Sequence, residues 1–214
     1  MTVRPQVSHL TREVDDQEID DQEVDDAALV EQSHHSPERF AVLYDRYFPE
    51  IYRYVAGRLG TQVADDLAAE TFLVAFRKRE SFDAARGQVR AWLYGIATNL
   101  VAQHRRSEAR RLQALQRTAG ERVTDSGHED LVAQRLTAAA VQGRLASALA
   151  ALSAADRDVL VLTALAGLGY EEIAQALGIS PGTVGSRLFR ARRKLRDALG
   201  GVNPMRKDFG DADG

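Results

Sequence analysis

The 214-residue chain has no cysteine, which excludes disulfide staples and thiolate metal sites and leaves redox compartment undiagnosed. It also has no apolar run near the ~20 residues of a membrane span. The N-terminus is acidic, unlike the basic-then-apolar opening of a secretory leader. These absences predict a soluble, cytoplasmic protein without membrane insertion. Five histidines are present, but His34, His35 and His104 fall in no HxxxH or HExxH spacing, so a metal-dependent enzyme has little support and no catalytic residue, metal or cofactor is expected.

A dominant charge of one sign is lacking too, yet the net charge of -3 averages opposed blocks. Residues 1–31 hold ten acids against Arg4 and Arg12, a net of -8, in a quasi-repeat DDQEI then DDQEV. Residues 86–117 carry seven Arg against Glu108, a net of +6, and residues 182–199 carry six Lys/Arg against Asp197, a net of +5. Two separate basic surfaces imply two contacts with a polyanion. The acidic block has too few large apolar residues to order itself, so residues 1–35 are expected to be a disordered extension. It either folds back on the basic surfaces as a polyanion mimic or is a solvated tail; pattern does not separate the two.

Of what is present, Tyr170 to Leu199 (YEEIAQALGISPGTVGSRLFRARRKLRDAL) says the most. Ile173, Ala174 and Leu177 share one face, and Gly178 supplies the left-handed position that ends a helix. Ser180-Pro181 then reads as an N-cap followed by a first-turn proline. Val184, Leu188, Ala191, Leu195 and Ala198 form one apolar stripe along the next helix. Ser186, Arg187, Arg190, Arg193 and Lys194 lie on the opposite and flanking surface. A capped start, a glycine turn and a basic outer face together predict a helix-turn-helix whose second helix enters a major groove.

Elsewhere the chain is helical nearly throughout. Ser36-Pro37 predicts a helix start, Phe40, Leu43, Tyr47, Ile51 and Tyr54 follow the helical period, Pro49 is expected to kink or break it, and Gly60 ends it. Val63 to about Arg79 is apolar on two sides, with Leu67, Thr71 and Val74 along one line and Ala69, Phe72 and Phe76 along another. Such a helix is central in its bundle or docks on a partner. After the loop 81–87, Val89, Leu93, Ile96 and Leu100 form a buried line, with Trp92, Asn99 and Gln103 beside it and Arg105, Arg106, Arg110 and Arg111 beyond. Rings, amides and arginines on one element suit single-stranded nucleic acid, although a Trp at helical spacing is more often core. Residues 118–130 read as a flexible linker. A long Ala-rich helix follows over 131–152, then a variant capping box at Ser153-Ala-Ala-Asp156 and an apolar helix with Val159, Leu160, Leu162 and Leu165. The tail 201–214 has no periodicity and is expected to be disordered.

Three stretches carry a family resemblance: ADDLAAETFLVAFRKRESFD at 64–83, VRAWLYGIATNLVAQHRR at 89–106, and LSAADRDVLVLTALAGLGYEEIAQALGISPGTVGSRLFRARRKL at 152–195. In this order and spacing they resemble the sigma-70 family of bacterial RNA polymerase sigma factors, in its extracytoplasmic-function (ECF) group. The resemblance implies an all-α fold of two small domains, a region 2 helical bundle over 36–117 and a region 4 helix-turn-helix over 131–200, joined by the linker. It implies a transcription factor without catalysis of its own, whose partners are RNA polymerase core (β′ clamp and β flap), promoter DNA and, in many members, an anti-sigma factor.

Residue by residue, the resemblance assigns Asp65, Asp66, Leu67, Glu70 and Phe72 to the β′ clamp. Ala69 departs from the glutamine common there. It assigns Trp92, Asn99, Gln103, Arg105 and Arg106 to reading and opening the −10 element, where extruding a base costs a few kcal/mol that a pocket must offset. Ser180, Thr183, Ser186, Arg187, Arg190, Arg193 and Lys194 fall to the −35 element. Arg187 and Arg190 are the best base-edge candidates, and Gly185 stands where a basic residue is frequent. A competing class, a stand-alone helix-turn-helix regulator, leaves the 64–76 pattern unexplained.

Overall fold

The computed structural model describes residues 24–119 and 143–199, and every described element is helical. Four α-helices build the first module: α1 (Asp26–Gln32), α2 (Phe40–Leu59), α3 (Ala64–Lys78) and α4 (Val89–Ala119). The second has a helical stretch over residues 143–150, then α5 (Ala154–Ala164), α6 (Tyr170–Leu177) and α7 (Pro181–Ala198). Residues 1–23, 120–142 and 200–214 lie outside the described residues, and with them most of the acidic extension, most of the expected linker, the first part of the Ala-rich helix and the C-terminal tail.

The first module is an aromatic-rich bundle. Leu43, Ile51, Val55, Phe72, Leu93 and Val101 are buried where α2, α3 and α4 meet. Tyr54 and Tyr94 are also buried, stacked edge to face at 5.3 Å, and the Tyr54 hydroxyl lies 2.7 Å from Thr98 Oγ1. That bond satisfies a polar group that would cost free energy to bury alone. Phe40 packs on the Phe76 ring at 5.4 Å. Helix α2 ends at Gly60 as its pattern predicts, but it runs unbroken through Pro49. With Leu43 and Ile51 fully buried on either side of it, packing outweighs the ~3 kcal/mol that an interior proline costs. Ser36 makes no side-chain cap, and its Pro37 opens a short 3₁₀ turn instead of the helix itself.

The acidic extension needs a second correction. Residues 26–32 are not disordered but form α1, because Asp25 accepts the Ala28 N–H at its N-terminus and Leu29 and Val30 are buried in the bundle. Asp26 pairs with Arg46 and accepts the Tyr47 hydroxyl, so two acids of the quasi-repeat region act as local anchors. At the other end α4 continues to Ala119 and takes in the first two residues of the expected linker.

The second module starts and stops its helices as its local signals predict, but two expected core positions are outside: Leu165 is 53% exposed just past the end of α5, and Ala198 is exposed in the last turn of α7. Ser153 accepts the Asp156 N–H at 3.1 Å and starts α5. Gly178, at φ 62° and ψ 39°, ends α6 in the left-handed region that favours glycine. Ser180 accepts the Thr183 N–H at 3.2 Å, with Pro181 in the first turn of α7. Val184, Leu188, Ala191 and Leu195 of α7 are buried against Val159, Leu162 and Ile173. Arg157 donates to the carbonyls of Leu149, Ala150 and Leu152 at 2.8, 2.8 and 2.9 Å, closing the C-terminal end of the 143–150 helix.

The two modules touch through α6 on the start of α4. Gln175 donates to the Gln88 carbonyl and accepts the Gln88 N–H, both at 2.9 Å. Gly95, inside α4, lets the Ala176 carbonyl approach so closely that an added Cβ would lie 2.6 Å from its oxygen. Arg90 donates to Glu50 of α2 at 3.0 Å, and across the contact to Glu172 at 3.4 Å and the Ala166 carbonyl at 2.6 Å. Arg58 reaches Asp158 at 2.6 Å, with its side chain only 4% exposed.

Candidate nucleic-acid interface

Helix α7 builds the first candidate surface. Its capped start fixes the helix axis, and the buried stripe fixes its rotation. Six cations, Arg187, Arg190, Arg192, Arg193, Lys194 and Arg196, then lie on the remaining surface, all exposed except the half-buried Arg187. Ser180, Thr183 and Ser186 are chained by hydrogen bonds, with Ser180 Oγ 2.9 Å from Thr183 Oγ1 and Ser186 Oγ donating to the Thr183 carbonyl at 3.0 Å. Ser180 and Thr183 thus serve the helix start.

Two features of this surface were not read from the sequence. Phe189 is 67% exposed and, with the 48% exposed Tyr170 and with Gly185, Arg192, Arg193 and Arg196, lines one flank of α7. Its signal was legible, since an aromatic midway between two outward-facing arginines has no place in the buried stripe. The other feature is an ion pair between Arg190 and Asp156 at 3.1 Å, in which Asp156 is nearly buried. Burial pushes the Asp156 carboxyl up, but hydrogen bonds from Ser153 and Arg190 and the fields of Arg190 and Lys194 prevail, holding it below its usual range.

The second surface lies on α3 and α4. Asp65, Asp66 and Glu70 are exposed on one strip of α3, together with Ala69 and the 48% exposed Leu73. Leu67 and Phe72 are not on that strip. Both are buried, and Phe72 packs on Tyr44 at 5.0 Å, so the second apolar side of this helix is consumed inside the bundle. Asn99, Gln103 and Arg106 are exposed on α4, and Gln103 and Arg106 share a groove with Glu70 and Leu100. Trp92 is half-buried, its ring 5.1 Å from Phe82 of the preceding loop. Arg105 stands apart from this group. It donates to the Arg58 carbonyl at 2.7 Å, and burial followed by the nearby Arg58 and Arg157 charges pulls its pKa down.

Among the described residues no cluster of three or more His, Asp or Glu is placed to hold a metal ion, and no helix is long and apolar enough to cross a membrane. His34 lies against the Arg79 carbonyl at 3.2 Å.

The fold and these surfaces define a two-module, all-helical protein with a helix-turn-helix in its second module. Family models agree on both halves: sigma-70 region 2 matches residues 43–111, and sigma-70 region 4 matches residues 142–195. The ECF RNA polymerase sigma factor BldN of Streptomyces coelicolor is 35% identical over 167 residues, covering 76% of this chain and 61% of BldN. The ECF sigma factor SigC of Mycobacterium tuberculosis is 34% identical over 151 residues, covering 68% of this chain and 75% of SigC. Among solved structures, CnrH in complex with the cytosolic domain of CnrY has a TM-score of 0.57 at 26% identity, covering 82% of this chain and 97% of CnrH. RpoE of Bartonella quintana, in complex with the anti-sigma factor NepR, has a TM-score of 0.54 at 25% identity, covering 75% of this chain and 96% of RpoE. The chain belongs to the sigma-70 family of RNA polymerase sigma factors, within its ECF group. Its function is promoter-directed transcription initiation through RNA polymerase, and sigma factors in general are not enzymes.

Proposed function

We propose that this cytoplasmic factor has no catalytic chemistry of its own and grips promoter DNA at two points once polymerase core has bound. Phosphodiester formation then belongs to core. The observation that carries this reading is the pairing, in one chain, of a cationic recognition helix with an acidic strip on α3 beside a polar face on α4.

Asp65, Asp66 and Glu70, with the exposed Leu73 one turn further along, dock on the β′ clamp, and Leu67 and Phe72 act from beneath by fixing the rotation of α3. Asn99, Gln103 and Arg106 take the −10 strand, with the Phe82–Trp92 pair at the edge of the loop that leads there. Arg187 and Arg190 read base edges of the −35 element. Arg193, Lys194 and Arg192 hold phosphates, and Phe189 offers apolar contact to a thymine methyl. The second module also meets the β flap. An anti-sigma factor is a further candidate partner, since CnrH and the Bartonella RpoE are both seen bound to one.

Such a grip requires the modules to part. By their designations the two elements lie about 25 base pairs apart, roughly 85 Å along B-DNA at 3.4 Å per base pair. In the closed contact α7 packs on α6 and α6 on α4, only about 20 Å across two interhelical spacings. Core therefore separates two weak DNA modules and fixes their distance, which raises the effective concentration of each once the other is bound. Run-off transcription with purified core on a genomic fragment library tests this reading. Discrete transcripts that depend on the chain are expected, and core recruitment without any promoter choice would refute it.

A further inference from the structure

Of the six cations on α7, Arg190 is the one hydrogen-bonded to an acid among the described residues, while Lys194 acts on the same carboxylate through its charge alone. That acid is unusual. Asp156 belongs to another helix, α5, sits at its third position after the Ser153 cap, and is only 5% exposed. An acid at this position ordinarily reaches back to the cap's own N–H. Here its carboxylate accepts from Arg190 Nη2 instead, at 3.1 Å, while its backbone N–H completes the cap. The Arg190 side chain remains 48% exposed, so one edge of the guanidinium is anchored and the rest faces outward.

We propose that Asp156 is a positioning residue for promoter recognition: it holds the Arg190 fork in the orientation that reads one base pair of the upstream element. The physical grounds are these. A guanidinium has five N–H donors, and Asp156 takes one, leaving enough for a bidentate bond to a guanine edge. A free arginine carries about 2 kcal/mol of rotamer entropy that binding must remove, whereas an anchored one has lost part of it already. A buried carboxylate moves little, because its own helix start and the core of the module fix it. The other α7 cations have no such anchor and suit phosphates, which tolerate a mobile charge.

This inference rests on the reading of α7 as the upstream DNA contact, and its test separates the two. Holoenzyme made from core and the full chain is used to select duplexes from a pool randomised over the upstream element, and bound sequences are compared for wild type, Arg190→Ala, Asp156→Asn and the double variant. Arg190→Ala is expected to erase preference at one base pair, by about tenfold. Asp156→Asn should weaken preference at that same base pair and no other, with an unchanged salt slope, and should add nothing in the Arg190→Ala background. Asp156→Glu keeps the charge but moves it by one methylene, so its loss should fall on the same base pair. It also stands in if Asp156→Asn does not fold. An equal loss at all positions, an effect additive with Arg190→Ala, or sharper selectivity on removing Asp156 would each overturn the positioning role. If Arg190→Ala itself leaves every base preference intact, the DNA-reading assignment of α7 fails first.

Discussion

The region 2 module is held together by aromatic rings and long-range polar pairs, whereas the region 4 module is held by aliphatic side chains and helix caps. In region 2, Phe40, Tyr54, Phe72 and Tyr94 are buried, and the Tyr54 hydroxyl is bonded to Thr98. In region 4 the buried set includes Leu152, Val159, Leu160, Leu162, Leu168, Ile173, Val184, Leu188 and Leu195, and the aromatics Tyr170 and Phe189 are outside. Under the function proposed above, this is a division of labour: the heavier core carries the face assigned to opening DNA, and the light, sharply capped unit carries the face assigned to a groove.

The strongest way to break that comparison is Leu188→Ala, since Leu188 is 1% exposed at the centre of α7. A loss of about 2–5 kcal/mol is expected, enough to unfold a unit of this size. Calorimetry should show the region 4 transition lost while region 2 still melts; a single weakened transition would mean the modules fold as one body. Comparable at the site but more local in its outcome is Asp158→Ala, which removes the acidic partner of Arg58 and leaves the Tyr54 hydroxyl at 3.1 Å, while the buried Arg58 Nε has no hydrogen-bond partner among the described residues. An uncompensated buried charge costs about 3–5 kcal/mol. Opening the contact rehydrates Arg58, so the expected result is faster hydrogen exchange around α6 and the start of α4 at little cost to either core.

Gly95→Ala should act more gently and in two directions. Alanine favours a helix interior by about 1 kcal/mol over glycine, so α4 itself gains. Its Cβ would meet the Ala176 carbonyl oxygen at 2.6 Å, so the contact between modules loosens. A higher melting temperature for region 2 with greater module separation is expected; a destabilised region 2 would show that Gly95 serves its own helix. The smallest effect concerns pH. Asp156 is held below its ordinary value near 3.8, so its ionisation stabilises the fold fully above that value and the contribution is lost as pH falls through the lower folded value. Denaturant titrations should therefore show Asp156→Asn losing stability at neutral pH and the difference shrinking below about pH 4. A difference that persists at pH 2 would assign the loss to packing.

Region 4 was more legible in the sequence than region 2, because its signals are local. Gly178, Ser180-Pro181 and the step pattern from Val184 each act within a few residues, and they stand in the structure except at Ala198, where the stripe runs out of core to face. Region 2 misled where distant neighbours decide. Pro49 failed to break α2 because residues around it are buried by α3 and α4. Composition marked residues 26–32 as disordered, yet Asp26 finds Arg46 and Tyr47 twenty positions away. Periodicity gave α3 two apolar sides but could not tell that Leu67 and Phe72 are both spent inside, which leaves Asp65, Asp66, Glu70 and Leu73 as its outer surface. The pairs Arg58–Asp158 and Arg190–Asp156 join residues 100 and 34 positions apart, and no pattern along the chain announces them.

The central claim is that two modules in contact must separate to hold a promoter at two points. Because the chain has no cysteine, single cysteines at the exposed Arg77 and Glu171 can carry a donor and an acceptor dye, one on each module. Energy transfer is then measured in the free protein, with core polymerase, and with core on a promoter fragment that supports transcription. High transfer in the free chain and a marked fall on core and promoter are predicted. Transfer that stays high in a complex actively making transcripts would contradict the account.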